Sequence, residues 1–249
     1  MALIPKLTRR HSEIEKKIHA ALEEERAKHA DSAFTVRLSS IGKCQRELWA
    51  IRTGVPDERP PEGRALMTFD IGSYLEGAVI DWLTAAGYEV RTRREDGTQF
   101  EVEMPERVGI GHLDGMIRWG RPSDGEWRLL EIKTAKAKKF GELVEAGSYR
   151  DWNPGYYDQI QAYMGASNDT LRDCLAIVLN KDTSELWCEM VRFDPERYAE
   201  LEAKARLVVE SDEIVPRPKE AKSQYCAHCK WCSRNAWCWS AVAGVEFDD

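Results

Sequence analysis

One short stretch constrains this chain more than any other: Leu129-Leu130-Glu131-Ile132-Lys133. In a strand alternate residues share a face, so Glu131 and Lys133 are expected to project together while Leu130 and Ile132 enter the core. A charged pair at the end of an apolar run is costly unless both groups face a site or water. The segment Gly111-His112-Leu113-Asp114-Gly115 supplies a second carboxylate. An adjacent strand can bring Asp114 opposite Glu131, and two carboxylates so placed can hold a hard cation through oxygen. An acid followed by Glu-x-Lys also describes many solvated strand edges, so the pattern needs support from elsewhere in the chain.

The surrounding periodicity bounds the fold. Helices are expected over Ser12–His29, from Ser39 or Ser40 to about Arg52, and over Arg64–Ala86, where Gly87 stops the last. Ile14, Ile18 and Leu22 make the first an arm lying on the domain or on a partner. From Tyr88 the period becomes that of strands: Tyr88–Arg93 and Gln99–Glu103 around Asp96-Gly97, then Val108–Trp119 and Glu126–Thr134 joined through Pro122 to Gly125. Helical stretches at Phe140–Glu145 and Tyr156–Ala166, strands at Cys174–Leu179 and Glu185–Phe193, and a helix at Pro195–Glu210 complete the order. The class is α+β, or mixed α/β.

With 249 residues the chain can form one compact domain, 1–249, with appendages. The net charge of −7 argues against a nonspecific DNA coat, which is normally basic. It leaves room for a local basic groove, and Arg91, Arg93, Arg94 and Lys133, Lys136, Lys138, Lys139 form two basic stretches. Met1–Arg10 lacks the apolar region of a secretory signal, and the most apolar helical stretch, Ile71–Ala86, carries Glu76 and Asp81. A cytoplasmic location and no membrane association are expected.

Support for the acidic pair comes from two helices. Gly72-Ser73-Tyr74-Leu75-Glu76 puts a carboxylate four residues beyond a glycine that permits close approach, and Gln159 and Tyr163 share one helical face. Lys133 is then placed to orient, and help deprotonate, a water attacking a phosphodiester. Together, G-x-x-x-E at Gly72–Glu76, G-H-x-D-G around Asp114, E-x-K at Glu131–Lys133 and Q-x-x-x-Y at Gln159–Tyr163 resemble the PD-(D/E)XK nuclease superfamily, in its RecB-like and CRISPR-associated-exonuclease-like branch. Lambda-type exonucleases look similar in the same order.

The resemblance implies a restriction-endonuclease-like core over 64–211, a central mixed sheet flanked by helices, with an N-terminal arm over 1–35. It implies that Asp114, Glu131 and the Ile132 carbonyl ligate Mg²⁺ or Mn²⁺, that Lys133 is catalytic, and that Gln159 and Tyr163 shape the site or contact DNA. Glu76 stands where many RecB-like members carry histidine; it looks more like the lambda-type pattern and would serve a second or shared metal. His112, two residues before Asp114, reads either as an outer metal ligand or as a hydrogen-bonded structural histidine.

Four of the seven cysteines crowd one segment as C-x2-C-x2-C-x5-C, from Cys226 to Cys238. Thiols so close in a chain without an export signal imply a metal centre, zinc or iron–sulfur. Spacing alone allows a local zinc site of Cys226, Cys229, Cys232 and Cys238. The segment Ser39 to Trp49, with Cys44, Arg46 and Leu48, looks like the opening of iron–sulfur RecB-like nucleases, which pair one early cysteine with three late ones. That likeness implies a [4Fe–4S] cluster on Cys44, Cys229, Cys232 and Cys238, with 40–54 and 216–240 as its subdomain and Cys226 as an extra thiol. Such a cluster would join the N-terminal helices to the C-terminal tail and add on the order of a few kcal/mol by closing a long loop. Trp231, Trp237 and Trp239 are expected to shield it, or one to stack on a base.

The expected function is a metal-dependent DNA exonuclease acting at single-stranded or duplex ends, in recombination, repair or phage DNA processing. The alternatives are a structure-selective endonuclease and a catalytically weak DNA-binding recombination accessory protein. A recombination or annealing protein and a second copy of the chain are the candidate protein partners.

Overall fold

The computed structural model describes residues 9–28, 35–119 and 125–240. Helix α1 (Arg9–Lys28) precedes a short β1 (Val36–Arg37), a 3-10 turn at Leu38–Ser40, α2 (Gln45–Arg52) and α3 (Gly63–Ala85). Strands β2 (Glu89–Arg91), β3 (Glu101–Glu103), β4 (Gly109–His112), β5 (Gly115–Arg118) and β6 (Arg128–Ala135) follow. Helices α4 (Ala137–Ala146), α5 (Tyr149–Trp152) and α6 (Pro154–Gly165) cross to β7 (Asp173–Asn180), β8 (Leu186–Arg192), α7 (Pro195–Glu210) and α8 (Asn235–Trp239). Most of the expected turn through Pro122 to Gly125, and residues 1–8 and 29–34 of the expected arm, lie outside the described residues.

The main sheet runs β2-β5-β6-β7-β8, and β1-β4-β3 form a smaller one. In the main sheet β6 and β7 are parallel and the other pairs antiparallel. A parallel pair needs a long crossover, which α4 to α6 provide. The result is the expected mixed α+β class, mixed sheets flanked by helices.

Strand β6 lies between two cores. Leu130 and Ile132 pack with Ile117, Ile177, Leu179 and Val79 of α3. On the opposite face Leu129 and Ala135 belong to the larger core, with Ile160 and Met164 of α6 and Leu201 and Ala205 of α7. Covering both faces leaves Glu131 fully buried. Of the charged pair, only Lys133 reaches water, with its side chain 20% exposed.

Three expected elements differ. Val108–Trp119 is two strands in two different sheets, broken at Leu113-Asp114. Pairing pulls that segment in two directions: β4 follows β3, with Leu113 N–H donating to the Phe100 carbonyl at 3.0 Å, while β5 follows β6. Tyr88–Arg93 and Gln99–Glu103 likewise send one strand to each sheet and meet only at the Arg93–Gln99 bridge. Helix α2 begins at Gln45 with Cys44 at its N-cap, because Ser39 and Ser40 are taken up in the 3-10 turn.

Helix α1 lies on α3, where Glu23 accepts from the Gly63 N–H at 2.6 Å. Of the apolar stripe, Ile14 and Ile18 stay exposed and Leu22 is half-buried. The C-terminal tail returns to α2 through hydrogen bonds between protein groups. Gln45 Nε2 donates to the Pro216 carbonyl at 2.8 Å, Arg46 Nε to Val215 at 2.7 Å and Arg234 Nε to Val55 at 2.9 Å. Glu58 caps α8, accepting from the Ala236 and Trp237 N–H groups at 3.0 and 2.5 Å, and Trp49 stacks on Trp237 with centroids 6.3 Å apart.

Candidate active site

The break between β4 and β5 creates the acidic site. The register Gly115↔Leu130 carries Asp114 across from Glu131. At the bend its Oδ2 accepts the Ile132 N–H at 3.0 Å, capping β6 where β5 has ended. A strand residue's N–H and C=O point toward the same neighbour, so the Ile132 carbonyl lies on the Asp114 side.

Glu131 is held from α6. Gln159 Nε2 donates to Glu131 Oε1 at 2.9 Å and to Tyr163 Oη at 3.2 Å, and Lys133 Nζ pairs with the same Oε1. Tyr163 can approach because residue 111 is glycine: a Cβ there would sit 2.4 Å from its ring. Four residues chosen from the sequence, Glu131, Lys133, Gln159 and Tyr163, thus meet in one network, with Asp114 held beside it on the Ile132 backbone. Gly72 plays a smaller part than expected, since a Cβ there would meet only Thr134 Oγ1, at an ordinary 3.7 Å. His112 Nε2 lies 3.2 Å from Glu101 Oε2, with the histidine side chain 52% exposed.

The electrostatics describe a carboxylate cluster short of positive charge. Burial pushes the Glu131 carboxyl up to about 8; the Lys133 ammonium opposes that rise, and the Asp114 and Glu76 carboxylates add to it. Burial, then the charge of Asp114, raises Glu76, which is half-buried on α3. Burial disfavours the charged form of Lys133, but Glu131 and Asp114 outweigh it and hold the ammonium protonated. Glu131 Oε2 is buried with no hydrogen-bond partner. Leaving such an oxygen unmet costs about 1–3 kcal/mol or more, so a cation on this atom suits the donor set. Against this, among the described residues no three His, Cys, Asp or Glu side chains converge closely enough to hold a metal ion. The charges explain the spread: Lys133 already neutralises Glu131, and Asp114 is turned to the backbone of Ile132.

The second expected centre lies at the tail. Cys44, Cys229, Cys232 and Cys238 line one cavity, together with Arg217 and Trp239. Cys226 is not part of that lining; its thiol donates to the Glu220 carbonyl at 3.8 Å, although it still neighbours Cys229. Burial pushes the thiols of Cys229 and Cys232 up to about 12 and about 11, so they are neutral unless a cation draws off their protons. Arg217 Nε is buried without a hydrogen-bond partner, and the Trp239 indole faces the Cys229 thiol. An unmet donor beside four cysteines suits thiolates, but among the described residues no three of these cysteines converge closely enough to hold a metal ion. Of the three tryptophans expected to shield the centre, Trp237 and Trp239 line the cavity, whereas Trp231 is 79% exposed and does not.

Sequence reasoning missed an aromatic wall beside Lys133, formed by Tyr149, Trp152 and Tyr156. It also missed Glu58, Arg217 and the carboxylate of Glu189, which accepts from the Tyr149 N–H at 2.7 Å. The run Tyr149 to Tyr156 is dense in aromatics, which was a usable signal.

Compared with known proteins, the sequence matches no family model and no curated protein. The fold does have relatives among solved structures. LHK-Exo in complex with dAMP aligns with a TM-score of 0.52 at 18% identity, over 72% of this chain and 88% of that one. A second structure of LHK-Exo, an alkaline exonuclease from Laribacter hongkongensis, aligns with a TM-score of 0.49 at 18% identity, over 71% and 86%. SSO0001 aligns with a TM-score of 0.51 at 16% identity, over 90% and 96%. This chain therefore shares its fold with LHK-Exo and SSO0001. No helix among the described residues is long and apolar enough to cross a membrane.

Proposed function

We propose that this chain is a divalent-metal-dependent deoxyribonuclease, working from DNA ends. One observation carries the reading: Glu131 is buried with an unpartnered oxygen, beside Asp114 and Lys133, in the middle of the central strand β6. The fold shared with LHK-Exo, an alkaline exonuclease, supports it. Asp114, Glu131 and the Ile132 carbonyl would hold Mg²⁺ or Mn²⁺, with Glu76 reaching in from α3. Bound there, the cation would stabilise charge on the phosphate and make a water acidic enough to attack.

The chain's own residues do the positioning. Gln159, braced by Tyr163, fixes Glu131 through Oε1 and leaves Oε2 open. Lys133 is held protonated, so it orients the attacking water and faces the phosphate charge as an ammonium. The proposed domain division is a nuclease core over 64–211, an arm over 1–35, and a tail subdomain of 40–54 with 216–240.

We read that subdomain as a [4Fe–4S] site on Cys44, Cys229, Cys232 and Cys238, supported by their shared cavity and its unmet donor. Cys226, beside Cys229, keeps the zinc alternative in play, and metal analysis of the purified protein separates them. The test of function compares end-labelled linear DNA with closed circular DNA in Mg²⁺ or Mn²⁺. Cleavage of the linear substrate alone is expected. Equal cutting of the circle would make the protein an endonuclease, and no metal-dependent cutting of either would remove the enzyme reading.

A further inference from the structure

We infer that Tyr156, backed by Trp152, forms a nucleobase subsite next to Lys133, so that the protein takes an unpaired nucleotide at its cutting site. The inference rests on the nuclease reading and adds a substrate class to it. Lys133 Nζ lies 5.4 Å from the centre of the Tyr156 ring. A phosphate drawn to that ammonium therefore has an aromatic face beside it, within the reach that separates a phosphate from its own base.

The wall is built to hold a ring in place. Tyr149 is fully buried at its base, while Trp152 and Tyr156 are half-buried and reach the surface. Trp152 packs 5.8 Å from Tyr156 and 5.8 Å from Tyr149, and its indole N–H donates to the Lys139 carbonyl at 3.0 Å. The backbone of Tyr156 is fixed in turn, its N–H donating to Asn153 Oδ1 at 3.2 Å in the N-cap of α6. An aromatic side chain with so few free torsions loses little entropy when a base stacks on it. Lys136 and Lys138, both exposed where β6 runs into α4, lie on the same stretch of chain and can meet flanking phosphates.

A base inside a duplex is already stacked on both faces, so this subsite favours a base that is single-stranded or frayed from an end. Base–aromatic stacking is tolerant of sequence, so no preference among the four bases follows.

The test measures binding without added divalent metal, using a fluorescently labelled oligothymidine and an abasic oligomer of the same length. Tyr156→Leu should weaken oligothymidine binding by about tenfold and leave abasic binding unchanged. Tyr156→Phe, which keeps the ring, should restore the wild-type difference. Equal weakening on both oligomers, or no weakening on oligothymidine, would overturn the subsite. Binding is read without cutting, so this result is independent of the cleavage assay, and failure of the nuclease reading would show only there.

Discussion

The acidic site and the cysteine cavity both gather groups that suit a cation, but they are held in opposite ways. Asp114, Glu131 and Lys133 are placed by the register of neighbouring strands and by α6 packed over them. The cysteine cavity is placed by segments far apart in sequence, such as Glu58 and Ala236, 178 residues apart. The first is a rigid device inside the core; the second is a surface clasp, and its shape depends on long-range hydrogen bonds. Perturbations should therefore act locally and chemically on the first, and through stability on the second.

The largest expected effect is on pH dependence. The folded carboxyl of Glu131, at about 8, lies above its ordinary 4.5. The folded state then binds that proton more tightly than the unfolded state. The stability it contributes is present in full below pH 4.5 and is lost as pH rises through 8. The bound is about 5 kcal/mol over that window. Glu131→Gln should flatten the profile in chemical unfolding, and so should Mg²⁺ with the wild type. No pH-dependent difference between the two proteins would break the idea that this carboxylate is stranded.

Next in size is chemistry. Glu131→Ala should lower the turnover of DNA cleavage by about 10²–10³-fold while the protein remains folded. Gln159→Leu, which removes the group that holds Glu131, should weaken Mn²⁺ binding by about 10–100-fold in titration calorimetry. Unchanged Mn²⁺ affinity would reduce Gln159 to a packing residue. The smallest effect belongs to the clasp. Glu58→Ala should cost about 1 kcal/mol, as loss of a helix cap does, loosening the tail without slowing cleavage. A loss of cleavage in that variant would mean the two regions are coupled.

What the sequence revealed follows the same division. Residues 131 and 133 alternate on one strand, and 159 and 163 lie one turn apart on a helix, so periodicity made the pairs, and the family resemblance joined them to each other and to Asp114. The break at Leu113-Asp114 was hidden because residues 109–118 alternate like one strand, and only competition between two sheets divides them. The full burial of Glu131 was hidden for a related reason: a strand pattern shows which residues share a face, not what covers that face. Tyr149, Trp152 and Tyr156 have helical spacing, but they run from α5 into α6 across the helix start at Asn153-Pro154, so they do not share one helix face. Glu58 left no local trace at all, since the helix it caps lies at the other end of the chain.

The most direct measurement is the initial rate of nucleotide release from end-labelled linear DNA in Mg²⁺, with wild type and Lys133→Ala compared at equal concentration. Metal-dependent release by the wild type, falling by about 10²–10³-fold in Lys133→Ala, is the expected result. Equal rates in the two proteins would contradict the assignment of this site.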